Sequence, residues 1–219
     1  MSEATLAAQT YGDVLASVAS SSPVPGGGSV SALNGATAAA LVEMVAAASA
    51  RKKSLAERAE DLESLAESAR NYRQALLVLA DRDAAAYGAV SAAYKLAKVT
   101  PDEQAARNAA IQLALQHACD VPLETAKAGM AVLHLAMAVA EMGNPAAITD
   151  VAVGAMTAAA GIEGAILNVR INLFEITDPD YRAACIEELQ EVQADLDDEA
   201  AAMRTLIGGI APMAVTGDV

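Results

Sequence analysis

Apolar positions in this chain recur at three- and four-residue intervals, and no stretch alternates with period two over a useful length. The pattern predicts helices and no strands. A first helix is expected from Thr5 to Ala19, with Leu6, Val14, Leu15 and Val18 as its apolar members. A second, very apolar helix is expected from Ser29 to Ala50. Between them the run from Ser20 to Gly28 holds two prolines and three glycines, the strongest local helix breakers. Ser54-Leu55-Ala56-Glu57 has the form of a capping box and opens a long helix to Lys98, interrupted only by Gly88. Thr100-Pro101-Asp102-Glu103 is a stronger start signal, and the helix it opens runs towards Met142 with a kink or break at Pro122. Gly143-Asn144-Pro145 reads as a loop. A small-residue helix follows from Thr149 to Ile176, and Asp178-Pro179-Asp180 caps a last helix that ends near Gly208-Gly209. Ile210 to Val219 reads as a loosely ordered tail. The sum is an all-α chain, one domain over residues 1–219, built as a bundle of about six helices, several of them long.

Composition refines this picture. Hydrophobic residues make up 54% of the 219 positions, yet aromatics supply only 3%, with no Trp and a single Phe, Phe174. Alanine dominates, which favours helix and requires helix backbones to approach closely, because small side chains cannot bridge wide gaps. So many alanines call for more than one helical layer, or for a partner subunit, to cover them. The mean hydropathy of +0.31 raises the question of a membrane span. The most apolar stretch, Val30 to Ala50, is mostly alanine and contains Asn34 and Glu43, so a buried helix is expected instead.

A net charge of −14 argues against nucleic acid and against anionic membrane surfaces as partners. Cys119 and Cys185 fit no CxxC spacing and no disulfide framework, and Met1 to Ala8 lacks the form of a signal peptide, so a cytoplasmic location is expected. No metal site is expected: His117 and Asp120 are three apart, His134 and Glu141 seven apart, and neither pair belongs to an HExxH-type set. Cys119 is a poor nucleophile, since Asp120 beside it disfavours the thiolate.

Five segments, in order, resemble the cyclodeaminase/cyclohydrolase family. Ser22-Pro23-Val24-Pro25-Gly26-Gly27-Gly28-Ser29 is similar to its PxPGGGS signature, and Asp81-Arg82-Asp83-Ala84-Ala85-Ala86-Tyr87 to its DxDAxx[FY] stretch. Lys95-Leu96-Ala97-Lys98-Val99-Thr100 resembles its KLPKxT, with Ala97 standing where the family usually has Pro. Gly143-Asn144 followed by Thr149-Asp150 resembles GN…[ST]D, and the run from Gly164 to Leu173 resembles GAxxNVxINL. The resemblance covers most of the chain, from Ser22 to Asp178. It implies a dimeric all-α enzyme acting on a one-carbon unit carried by tetrahydrofolate, with no cofactor beyond that carrier. Two activities occur in the family: hydrolysis of 5,10-methenyltetrahydrofolate to 10-formyltetrahydrofolate, and cyclisation of 5-formiminotetrahydrofolate with release of ammonia. The absence of a formiminotransferase segment tilts the expectation towards the hydrolase. A non-catalytic helical interaction protein is the alternative from another class.

The resemblance places a catalytic Asp at Asp83. Read alone, Asp81, Arg82 and Asp83 also fit a solvated helix patch, although Tyr87, four residues on, shares the face of Asp83. Gly26, Gly27, Gly28 and Ser29 precede or open a helix, where free N–H groups can hold a carbonyl or carboxylate, or where a tight turn lets two helices pack. No Lys-Ser/Thr follows them and no strand precedes, so neither a Walker A loop nor a Rossmann turn is present. Lys95 and Lys98 suit a helix C-terminus or the glutamate carboxylates of a folate, and Arg51-Lys52-Lys53 carries the same two readings. Asn144 falls in the family's GN motif. Asp150 reads as a helix cap, or, by the resemblance, as an anchor for the pterin ring. Asn168 and Asn172 lie four apart on an apolar helix and must bridge helices or touch ligand.

Overall fold

Six α-helices, with three short stretches of 3-10 helix, account for nearly all of residues 5–210, the part of the chain that the computed structural model describes. They are α1 (Tyr11–Val18), α2 (Gly27–Ala50), α3 (Ala59–Tyr94), α4 (Pro101–Met142), α5 (Ile148–Leu173) and α6 (Pro179–Ile210). No strand occurs among the described residues. The expected tail falls at Ile210, the last residue of α6, and beyond it lies outside the described residues.

α2 is the centre of the bundle. Apolar on nearly all sides, it can only be stable when covered, and α3, α5 and α4 cover it. Its buried positions are all small, being alanine, valine, serine or glycine, and include Ala32, Ala39, Val42 and Ala46. α5 runs antiparallel to it, with Asn168 beside Gly27 and Gly154 beside Ala38 and Val42. The crossing is close enough that a Cβ at Gly161 would stand 2.8 Å from the Ser31 carbonyl. Three helical segments reach the length and hydropathy of a membrane span, but half or more of each such window is buried within the bundle, so their apolarity serves helix packing.

α6 packs parallel to α4. Tyr181 donates to Asp120 at 2.6 Å, Lys127 pairs with Glu188, and His134 meets Asp195 at 3.1 Å. Each pair joins residues 61 positions apart, one heptad after another, as expected for a shallow left-handed crossing.

Several boundaries differ from the sequence expectation. Thr5–Ala19 is not one helix: Leu6–Ala8 is a 3-10 turn, and Thr10 starts α1 by accepting the Asp13 N–H. Gly27 and Gly28, expected outside, form the first turn of α2. Ser54 caps nothing, because Lys53–Arg58 is a 3-10 segment bent at Leu55 and α3 begins only at Ala59. α3 stops at Tyr94, not Lys98, where Arg107 of α4 donates to the Tyr94 carbonyl and stacks over its ring. α5 starts at Ile148, one turn after Asn144 caps the 3-10 turn Pro145–Ala147, and ends at Leu173, whose carbonyl accepts from Arg182. Both the Thr100 capping box and the Asp178 cap are present.

Pro122 does not break α4, which continues through it for 42 residues. Proline has no N–H, so the carbonyl one turn back, at Ala118, loses its helical donor. Asn172 of α5 supplies one: its Nδ2 donates to Ala118 O at 2.6 Å. The proline thus creates an acceptor that docks α5 onto α4. Asn172→Ala should lower stability by about 1–3 kcal/mol by orphaning that carbonyl. In a Pro122→Ala background, where the helix can donate again, the same substitution should lower it less, as a denaturation double-mutant cycle will show.

Candidate active site

Helical spacing places Asp83, Tyr87, Val90, Ser91 and Tyr94 on one face of α3. That face meets the N-terminal turn of α2. Ser29 is fully buried there, and its hydroxyl lies 2.9 Å from Asp83 Oδ2 and 3.0 Å from the Ala80 carbonyl. The Ser29 N–H also bonds the carboxylate. Gly28 is required by this contact, since a Cβ there would stand 2.6 Å from Asp83 Cγ. Burial pushes the Asp83 proton affinity up, the two Ser29 hydrogen bonds pull it down, and burial wins: the carboxyl sits above the ordinary aspartate value near 3.8.

Asp83 opens onto a cavity of about 600 Å³, a size typical of small-molecule sites. Gly26, Gly27 and Gly28 form one wall with Pro23 and Val24; Asn168, Ile171 and Asn172 of α5 form another; Leu115 and Ala118 of α4 lie among its lining residues. Lys95 supplies a cation. Asn172 both bridges to α4 and lines the cavity, while Asn168 donates back to Gly164 within its own helix.

The three charges at the start of the DxDAxx[FY] stretch separate. Asp81 accepts the Leu6 N–H at 2.7 Å, Arg82 pairs with Glu124, and only Asp83 enters the cavity. Of the expected site residues, the structure brings together Asp83, Gly26, Gly27, Gly28, Ser29, Lys95, Asn168 and Asn172. It does not bring Lys98, Asn144 or Asp150 to this cavity. Lys98 is exposed in the loop after α3. Asn144 lies at the other end of α2, where its N–H donates to Ser49 Oγ at 2.9 Å and its Oδ1 accepts from Lys52 Nζ at 2.5 Å. Asp150, exposed in the first turn of α5, caps nothing; Ala147 holds the N-cap position.

Sequence reasoning missed Tyr94, Phe174 and Glu175. Tyr94 donates to Glu175 at 2.5 Å across the cavity rim. The seven-residue step from Tyr87 to Tyr94 carried the signal for the first; the other two depend on where α5 ends. Cys119 is fully buried, and that burial, with Cys185 nearby, pushes its thiol up to about 12, which fits no nucleophilic role. Outside the cavity, His134 converges with Asp195 and Glu199, a His–carboxylate group hidden from the His134/Glu141 spacing because its acids come from α6.

The profile of the family described as formiminotransferase-cyclodeaminase matches residues 10–191. A methenyltetrahydrofolate cyclohydrolase of Methylorubrum extorquens is 40% identical over 187 residues, which is 85% of this chain and 90% of that protein. A formimidoyltransferase-cyclodeaminase of Rattus norvegicus is 31% identical over 84% of this chain, which spans only 34% of that longer relative. The solved structure of a formiminotetrahydrofolate cyclodeaminase from Thermotoga maritima superposes with a TM-score of 0.85 at 30% identity, covering 94% of this chain and 98% of that one.

If Asp83 works as its anion, activity will fall on the acid side as it takes up a proton, at a pH above the ordinary aspartate value. Ser29→Ala removes a bond that favours the anion, so it should move the acid limb of the kcat/KM profile to higher pH. An unmoved limb would mean that another group controls it.

Proposed function

This chain belongs to the formiminotransferase-cyclodeaminase/methenyltetrahydrofolate cyclohydrolase family, and we propose that it hydrolyses 5,10-methenyltetrahydrofolate to 10-formyltetrahydrofolate. The observation that carries the reading is a half-buried carboxylate with raised proton affinity, facing a cavity lined by amides, aromatics, glycine backbone and aliphatic side chains, with Lys95 and Glu175 as its other charged groups. The 40% identity to a cyclohydrolase of nearly the same extent favours this member of the family's two reactions.

The substrate carries a cationic amidinium carbon between N5 and N10. A carboxylate nearby stabilises that cation and attracts water to it. Asp83 takes a proton from the attacking water as its oxygen bonds to the bridge carbon. The same proton, returned to N5 as the carbon–N5 bond breaks, restores the carboxylate; the hydroxyl proton left on the added oxygen departs to solvent as the C=O forms, leaving the formyl group on N10 and releasing one proton overall. Asp83 is suited to both steps, because burial raises its basicity while Ser29 keeps the anion accessible. The glycine wall would let backbone approach a planar ring, and Lys95, which lines the cavity, would pair with the carboxylates of the glutamate portion. The reaction as written consumes only water and needs no group beyond the tetrahydrofolate carrier. The working unit is proposed to be a homodimer, supported by Val153, Met156, Leu167 and Ile171, each more than half exposed along α5.

A second reading is supported by the 30% identity and near-complete overlap with the Thermotoga cyclodeaminase. In this reading N10 of 5-formiminotetrahydrofolate attacks the formimino carbon and ammonia leaves, with Asp83 again serving as the acid–base group. Purified protein should bleach the near-ultraviolet absorbance of 5,10-methenyltetrahydrofolate well above the buffer rate. Asp83→Asn should lose most of that rate, on the order of 10²–10⁴-fold for a lost acid–base group, while melting no lower at neutral pH because a buried charge has been removed. Ammonia release from 5-formiminotetrahydrofolate without hydrolysis of the methenyl compound would select the second reading.

A further inference from the structure

Away from the cavity, α4 and α6 bring three metal-ligating side chains together. His134 Nε2 stands 3.1 Å from Asp195 Oδ1 and 3.7 Å from Glu199 Oε1, and one ligand atom from each residue lies within 4.8 Å of the other two. Helix phase builds the group. Asp195 and Glu199 are four residues apart and share a face of α6. His134 is the next rung of the α4–α6 ladder after Asp120 with Tyr181 and Lys127 with Glu188. From Ala118, which lines the Asp83 cavity, α4 climbs about 24 Å to His134, so the cluster takes no part in that site. The family profile ends at residue 191, and both acids lie beyond it.

Charge shows what the cluster needs. Between Arg182 and Arg204, α6 carries seven acidic residues and no Lys, Arg or His. Among the described residues, the ion-pair partner of both Asp195 and Glu199 is His134. One imidazolium cannot balance two carboxylates, and a neutral imidazole balances neither. A divalent cation balances both and leaves the imidazole neutral, with a lone pair to donate. The spacing suits this, because metal–ligand bonds of about 2.0–2.1 Å put neighbouring ligand atoms roughly 3.0–3.4 Å apart. A small rotation of Glu199 brings all three onto one ion.

We propose that His134, Asp195 and Glu199 bind a divalent transition-metal ion of the zinc class, which clamps the outer part of α6 onto α4. One imidazole with two carboxylates suits zinc, cobalt or nickel, whereas calcium and magnesium take oxygen ligands. His134 is 45% exposed, so water completes the coordination. The clamp falls where apolar packing runs out. Leu196 is the last buried residue of α6 among those described, and the ligands at 195 and 199 bracket it. The ion therefore extends the hold of α4 by one turn into a stretch that burial no longer secures. No part of this rests on the folate reading, because neither the site nor its test involves turnover.

The test is a calorimetric titration of the tag-free full chain, stripped with EDTA, with zinc chloride near neutral pH. One saturable site per chain is expected, with a micromolar Kd. His134→Lys keeps a cation against both carboxylates, but its ammonium offers a metal no lone pair. It should weaken binding by about a hundredfold or more, and Asp195→Asn by about tenfold, as ligand losses do. Cobalt(II) added to the stripped wild-type protein should give a visible absorption that His134→Lys lacks. With zinc at about a hundred times Kd, amide exchange across residues 195–204 should slow by up to about a hundredfold in the wild type and stay unchanged in His134→Lys. The absence of a saturable site below millimolar zinc, or equal binding by His134→Lys, overturns the proposal. Binding that leaves exchange in α6 unchanged rejects the clamp.

Discussion

The approach of the α2 N-terminus to Asp83 governs the arrangement of the site. A carboxylate half removed from water needs hydrogen-bond partners, and here the partners are the hydroxyl and N–H of Ser29 in the first turn of α2. That contact is possible only because Gly28 has no side chain and because helix starts already at Gly27. The balance makes Asp83 more basic than an ordinary aspartate: burial raises its proton affinity, and the two Ser29 hydrogen bonds hold that rise back.

The rest of the bundle keeps α2 and α3 in that relation. α2 is held by small residues: alanine on its buried faces, and Gly161 of α5 against the Ser31 carbonyl. α5 is in turn tied to α4 through the carbonyl that Pro122 leaves free and Asn172 occupies. A residue that looks like a helix breaker and one that looks like a ligand contact thus serve a single joint beside the cavity. A core of alanine and glycine brings backbones near enough for such joints to form.

Much of this was legible in the chain. The all-helical class, the Thr100 capping box and the Asp178 cap follow from local chemistry, and the five motif segments pointed to Asp83, the glycines and both asparagines. What failed did so where long-range contacts decide. Ser54 has the sequence of a capping box, but the bend at Leu55 delays the helix to Ala59. α3 was expected to reach Lys98, but Arg107 of the next helix takes the Tyr94 carbonyl. Asp81 and Asp83 are indistinguishable by type, and only helix phase sends one to Leu6 and the other to the cavity. Glu175 was invisible because its meeting with Tyr94 depends on the end of α5. The placement of Asn144 and Asp150 far along α2 could not be read from motif order, which says nothing about distance.

The central claim is that Asp83 performs proton transfer on a folate held in this cavity, and the most direct measurement separates binding from chemistry. Asp83→Asn mixed with 5,10-methenyltetrahydrofolate should form a complex, detected by equilibrium dialysis, with an affinity within about tenfold of the wild-type KM, since the amide keeps the shape and polarity of the site. The methenyl absorbance of that complex should persist at the buffer rate. Loss of the absorbance at the wild-type rate would contradict the account.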